Sequence, residues 1–398
     1  MLGLVLEGGG AKGSYEIGAC KALKELGIEV DGVVGTSIGA INGAMIVQGD
    51  IERAYDIWYN ITPSDVLDVN DEDFKKLMDM DIKTKDIPKF ARKLIKIIKN
   101  KGFDTQNIRR LINENIDEKR IRESKLDFGI VTVSLTDKKP MEIFKEDIPE
   151  GKITDYIMAS AYHPAFKLEK VDGKLFIDGC FFDNLPIKLL YEKGYRNIIA
   201  IRLYAIGRVR KIKEKDLEIT YIEPSEKLCH TLDFTNSSAR KNLQLGYYDT
   251  LRVFRGLKGR KYYIEPKKDE EFFLNFLLDM EEIKVLKIGK ILGIENIPYR
   301  RMLLEFIIPR LIELLNLDED IGYEELVIAL VEEVAEKCGL ERFKIYSYDE
   351  FYTMAIEGYD MYKRKPRNKI PRFIKQNEIL SRAAKEPIID EIVFEIFR

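Results

Sequence analysis

The sequence predicts an α/β fold: a mainly parallel sheet covered by helices, with a helical region appended toward the C-terminus. Three observations carry this. Strand, helix, strand and helix signals alternate within the first 50 residues. Short apolar runs rich in β-branched residues return at 125–135 and 197–203. After about residue 258 strand signals largely stop and amphipathic helical segments take over.

The elements follow in order. Residues 2–6, LGLVL, read as a short, fully buried strand. Over 14–26, Ile17, Cys20, Ala22, Leu23 and Leu26 recur at helical spacing, and Gly27 ends that helix. EVDGVVGTS is a second strand, and IGAINGAMIVQG a buried helix. Residues 51–126 read as mostly helical and charged, with breaks at Pro63 and Pro88. KLDFGIVTVSL (125–135) returns to a strand, and PMEIF (140–144) is its partner across the turn TDKK. Residues 153–161 form a short helix, and 167–179 a hairpin turning at Asp172-Gly173. PIKLLYEKG is a helix with Pro186 in its first turn, and NIIAIRL (197–203) a further buried strand. A boundary near Gly256–Gly259 divides a domain of 1–257 from a helical region of 258–398, which carries no motif that names a role.

Composition narrows the class. A chain of 398 residues with 45% hydrophobic and 33% charged residues has room for a sizeable core. A formal net charge of −3 provides no global field for nucleic acid, which is not expected as a partner. Cys20, Cys180, Cys229 and Cys338 lie far apart without a C-x-x-C pair, which suits a reducing compartment and argues against a disulfide framework or a zinc site. With only His163 and His230, a multi-histidine metal centre is not expected. The start lacks the basic flank of a signal peptide, and no apolar run reaches the roughly 18 residues that span a bilayer. The expectation is a cytoplasmic protein. Two basic segments are candidates for peripheral membrane contact: KFARKLIKIIKNKG (89–102), with an apolar face at helical spacing, and KRKPRNKIPRFIK (363–375). The bland reading of both is a solvated basic surface.

Two motifs carry chemistry. Gly8, Gly10 and Gly13 spell G-x-G-x-x-G directly after the first strand, with Asp31 18 residues beyond Gly13. That outlines a dinucleotide fingerprint, and equally a loop whose bare amides hold some other anion. GTSIG (35–39) places Ser37 between an apolar strand and a small-residue helix, the setting of a nucleophile elbow. The same five residues also fit a tight turn with an incidental serine. A serine needs a base. The order Ser37, Asp178, His230 matches an α/β-hydrolase triad, although KLCHTLDF reads more readily as a packed or surface histidine.

Taken together, the chain resembles the patatin-like phospholipase family over about residues 1–257. GGGAKG (8–13) is similar to that family's oxyanion loop, GTSIG to its elbow, and ASAYHPAF (159–166) to its A-S-x-x-x-P-x-x-F segment, one residue short. DGCFFDNLP (178–186) is similar to the D-G-G/A segment, while LDF (232–234) and LGYYDTLR (245–252) are similar to the end of bacterial members. The resemblance implies a three-layer α/β/α patatin-like hydrolase with a Ser–Asp dyad and no catalytic histidine. Ser37 is then the nucleophile, Asp178 its base, and Gly8, Gly9 and Gly10 the oxyanion hole, with Ile38 N–H as a further donor. The glycine loop would hold a tetrahedral intermediate's charge, and the dinucleotide reading falls away. The implied substrate is a phospholipid or lysophospholipid, with no metal and no cofactor. A carboxylesterase, thioesterase or acyltransferase using the same dyad is an alternative, as is a lipid-binding regulator without turnover. Lys12 is a candidate to pin the loop or to meet a lipid phosphate, and Asn184 and Pro186 to shape the turn that carries Asp178. Cys180, where the family has Gly or Ala, is a candidate to crowd Asp178. His163, at a position usually apolar in the family, is a candidate packing residue or proton-transfer helper.

Overall fold

The computed structural model describes residues 1–67, 104–163, 166–167, 169–266, 268–362 and 385–397. Both basic segments, 89–102 and 363–375, lie outside these residues. The described chain divides into two compact units, Met1–Val253 and Phe254–Arg398.

The first unit opens as β1 (Leu2–Leu6), α1 (Ser14–Glu25), β2 (Gly32–Thr36) and α2 (Ile38–Val47). Helices α3 (Ile51–Asn60), α4 (Pro63–Val66), α5 (Gln106–Asn115) and α6 (Glu118–Glu123) follow. Then come β3 (Asp127–Ser134), β4 (Lys139–Phe144), α7 (Ile153–Ser160) and the hairpin β5 (Lys170–Val171) with β6 (Lys174–Asp178). α8 (Ile187–Glu192), β7 (Asn197–Ile201), β8 (Glu218–Ile222) and α9 (Asn236–Arg255) complete it. Pro186 caps α8 from outside its first turn, a correction to the expected placement. The hairpin turns at Asp172 and Gly173, both with positive φ (48° and 77°), as its sequence predicts.

Strands β3, β2, β1, β7 and β8 run parallel in that spatial order. β1, β2 and β7 read as continuous apolar runs because helices cover both faces. Val5, Val34, Val131 and Ala200 pack with Ile187, Leu189 and Leu190 of α8 on one face. On the other, α2 lies so close that a Cβ at Gly43 would touch Phe128 and Val33 at 3.3 Å and Leu6 at 3.7 Å. The alternation along each strand thus makes three layers, α/β/α. β8, EITYI, escapes the sequence reading because it is a partly exposed edge strand without an apolar run.

β3 decides where the site forms. Its residues 129–134 pair antiparallel with β4 along one edge. The opposite edge is shared: β2 occupies it up to Thr36↔Val131, and β6 occupies it from Asp178↔Thr132. β2 runs parallel to β3 and β6 runs against it, so their C-terminal ends meet head to head.

Glu16 is buried on α1. Asn42 Nδ2 donates to its carboxyl at 2.8 Å and to Gly13 O at 2.9 Å, while Asn42 Oδ1 accepts from Trp58 Nε1 at 3.0 Å. Burial pushes the Glu16 pKa well above the ordinary 4.5, against the opposing hydrogen bond from Asn42. The stability this neutral carboxyl contributes is whole below the unfolded value and is lost as pH rises through the higher folded one. Glu16→Gln, which cannot ionise, is therefore expected to gain in melting temperature relative to the parent as pH is raised from 5 to 9 (roughly the window in which a buried carboxyl ionises). A constant difference across that range would refute the buried neutral acid.

The second unit is helical, with α10 (Glu270–Leu278), α11 (Glu282–Leu292), α12 (Tyr323–Cys338), α13 (Tyr348–Tyr362) and α14 (Lys385–Ile396) among its elements. Phe273, Val285, Leu330, Val331, Phe351 and Ile392 belong to its own core. It also holds a two-stranded parallel sheet, β9 (Tyr263–Glu265) with β10 (Ile345–Ser347), whose three-residue strands are too short to leave a periodic signal in the sequence.

Candidate active site

Ser37 sits where β2 turns into α2, with φ 56° and ψ −122°. A side chain is rarely tolerated there, and Ser37 is held from both sides. A Cβ at Gly39 would lie 2.6 Å from Leu6 O, and one at Gly35 would run into the Gly39 carbonyl, so the glycines let the helix return onto the strand. The Ser37 N–H donates to Ser160 Oγ at 2.9 Å, and Ser160 Oγ donates onward to Val131 O at 2.6 Å. The A-S segment thus supplies a buried clamp for the elbow.

Because β2 and β6 meet on one edge of β3, Asp178 faces Ser37 directly. Ser37 Oγ donates to Asp178 Oδ2 at 2.6 Å. Cys180 N–H donates to Asp178 Oδ1 at 2.8 Å, and Asp178 N–H donates to Tyr162 O at 3.0 Å. Gly179 permits the approach: a Cβ there would collide with Val131 O. Burial raises the Asp178 pKa, opposed by hydrogen bonds from Ser37 and Cys180. The Cys180 thiol is itself pushed up by burial and by the nearby carboxylate, so it stays protonated.

The glycine loop is laced to a second loop. Gly8 N–H donates to Asn184 O at 3.0 Å and Asn184 Nδ2 donates to Gly8 O at 2.9 Å. That corrects the expectation for Gly8: its amide is already engaged and cannot serve an oxyanion. Among the described residues no partner is seen for the amides of Gly9 and Gly10. Gly10 takes φ 57°, and a Cβ there would strike Thr231 O. Beneath the loop, buried Glu7 Oε2 accepts from Arg202 Nε at 3.0 Å, Leu203 N–H at 2.6 Å and Tyr204 N–H at 3.2 Å. Lys12 Nζ donates to the carbonyls of Leu203 and Tyr204, each at 3.2 Å, so Lys12 pins the loop. Asn184 does more than shape a turn; it couples the glycine loop to the Asp178 segment.

Ser37 and Asp178 open onto a cavity of about 210 Å³. Its walls are chiefly apolar, with Ile38, Met45, Trp58, Ile112, Phe166 and Phe234 among them. The chain's two histidines both line it. Burial, with a contribution from His230, lowers the His163 pKa to about 4, so this imidazole is neutral above that pH. Ser37 Oγ pairs with a carboxylate and with neither imidazole, so the order Ser37, Asp178, His230 does not fold into a serine–histidine contact. The sequence reading missed Arg208, which also lines the cavity. Among the described residues no group of three or more His, Cys, Asp or Glu is placed to hold a metal ion, and no helix is long and apolar enough to cross a membrane.

Comparison with known proteins gives sequence similarity over the first half of the chain. Residues 4–191 match the sequence model described as patatin-like phospholipase. Patatin-like phospholipase domain-containing protein 7 of Rattus norvegicus is 28% identical over 204 residues, covering 50% of this chain and 13% of that protein. Neuropathy target esterase sws of Drosophila melanogaster is 29% identical over 204 residues, with the same 50% and 13% coverage. The chain therefore spans only a small part of the length of these relatives. The solved structure of VipD from Legionella pneumophila aligns over 100% of this chain and 91% of that one at 13% identity, with a TM-score of 0.41, too low to bear on fold or function. Over residues 4–191, this chain is similar to the patatin-like phospholipase family.

Proposed function

We propose that the first unit is a serine acyl hydrolase that cleaves acyl esters of phospholipids or lysophospholipids through Ser37 and Asp178. The 2.6 Å bond from Ser37 Oγ to Asp178 Oδ2 carries this reading. Asp178 takes the hydroxyl proton as Oγ attacks the acyl carbonyl. The amides of Gly9 and Gly10, with Ile38 N–H at the start of α2, receive the negative oxygen. The acyl chain occupies the apolar cavity. The alcohol or lysolipid departs with the proton, leaving an acyl-enzyme, and Asp178 then activates the water that releases the fatty acid.

The direct test is fatty-acid release from phospholipid and lysophospholipid vesicles by the full chain. Release that Ser37→Ala abolishes supports the reading. Hydrolysis of a small ester alone, with no lipid cleaved, would keep the nucleophile and overturn the substrate.

The raised Asp178 pKa predicts the shape of the pH profile. The base acts only when ionised, so kcat/KM is expected to rise with pH through a limb lying above the ordinary aspartate value of 3.8. His163, neutral above about 4, adds no limb near neutrality. A profile flat down to the ordinary aspartate range would argue against Asp178 as the base.

A further inference from the structure

Arg208 is the one exposed residue among the described residues lining the Ser37–Asp178 cavity, and the only one of them with a permanent positive charge. It is rigidly mounted. Its N–H donates to Cys180 O at 2.8 Å, and its carbonyl accepts from Asn184 N–H at 2.6 Å. Gly207 allows this: a Cβ there would lie 2.6 Å from Asn184 Cγ. The backbone of Arg208 therefore lies directly on the turn that carries Asp178.

Two nearby arginines show what a structural role looks like here. Arg202 is committed to Glu7 at 3.0 Å. Arg210 is committed to Asp183 at 2.7 Å and to Glu142, and its guanidinium lies 4.7 Å from the Phe182 ring centroid. Arg208 has no carboxylate within ion-pairing distance among the described residues. Nor does it tune the base, since burial, Ser37 and Cys180 account for the displacement of Asp178. The remaining cation of the loop, Lys12, is turned to backbone carbonyls. An exposed arginine without a carboxylate partner, lining the same apolar cavity as Ser37, matches an ester with its tail inside and an anion outside. Guanidinium binds phosphate through a planar fork of donors.

We propose that Arg208 is the anion-recognition residue of this site, selecting acyl esters whose alcohol side carries a phosphate group over neutral acyl esters of the same chain length. The proposal rests on the acyl-hydrolase reading above. A phosphate held by Arg208 would sit at the wall of the same cavity that Ser37 and Asp178 line.

The test compares a lysophosphatidic acid with the monoacylglycerol of the same chain. The ratio of their kcat/KM values is expected to fall about 10-fold or more in Arg208→Gln, mainly through KM, with partial recovery in Arg208→Lys, which restores the charge without the fork. A parallel calorimetric titration uses the ether-linked analogues, which the enzyme cannot hydrolyse, and inorganic phosphate. Arg208→Gln is expected to weaken the phosphate-bearing ether by about 10-fold or more, a bidentate charge-assisted contact being worth that much. Equal losses for both ethers would mean that Arg208 only packs the cavity, and would overturn the proposal. So would inorganic phosphate binding as tightly as the phosphate-bearing ether, which would mark a free-phosphate site. If the wild type cleaves neither ester, the hydrolase reading falls, while the ether titration still decides Arg208.

Discussion

Replacing Ser37 by Ala, or Asp178 by Asn, is expected to lower fatty-acid release by on the order of 10⁴-fold, the scale on which members of a nucleophile–base unit fail. The two substitutions remove different things. Ser37→Ala deletes the only hydroxyl bonded to Asp178 among the described residues. Asp178→Asn preserves the shape of the side chain and one hydrogen bond to Cys180 N–H, but an amide cannot take the proton from Ser37 Oγ. Because the pair acts as one unit, the double variant is expected to be no worse than the poorer single one. Unchanged far-UV circular dichroism would establish that each variant folds. Asp178→Asn retaining a tenth or more of the parent rate would place the base elsewhere, and His163 and His230, which share the cavity, would be the next residues to replace.

Asn184→Ala is expected to lower kcat by on the order of 10²-fold with the dyad intact, the cost of displacing a catalytic element by about an ångström. Asn184 is fully buried and its Nδ2 bonds Gly8 O at 2.9 Å. Truncation leaves that carbonyl unpaired and removes the side-chain half of the tie between the glycine loop and the segment that carries Asp178, leaving only the backbone bond from Gly8 N–H to Asn184 O. The unpaired group alone should cost about 1–3 kcal/mol of stability, read as a lowered urea midpoint with an unchanged slope. Stability lost without a fall in kcat would mean that Glu7 and Lys12 hold the loop unaided.

Features with a local cause are legible in the sequence. β1, β2, β3 and β7 are apolar runs because the sheet buries both their faces. Ser37 betrays itself through the glycines at 35 and 39, each answering a specific backbone collision. Asp178 has no local signal linking it to Ser37, 141 residues away; chain order offers it only as the acid of a triad through His230, and the resemblance alone pairs it directly with the serine. Gly8 was misjudged for the same reason: the carbonyl that occupies its amide belongs to Asn184. Arg208 was passed over because nothing in AIGRVR separates it from Arg202 or Arg210. The difference lies in which carboxylates the fold sets beside each, and those come from distant strands and turns.

The head-to-head meeting of β2 and β6 also sets when the chain becomes reactive. During synthesis from the N-terminus, the elbow serine emerges long before its base. Until β6 has been made and docked on the free end of β3, Ser37 is an ordinary alcohol with no proton acceptor. Pairings this distant in sequence close late, because the loop entropy must be met before the contact rewards it. On the proposed mechanism, a nascent or partly folded chain therefore carries Ser37 without its base, and reactivity waits for completion of the sheet.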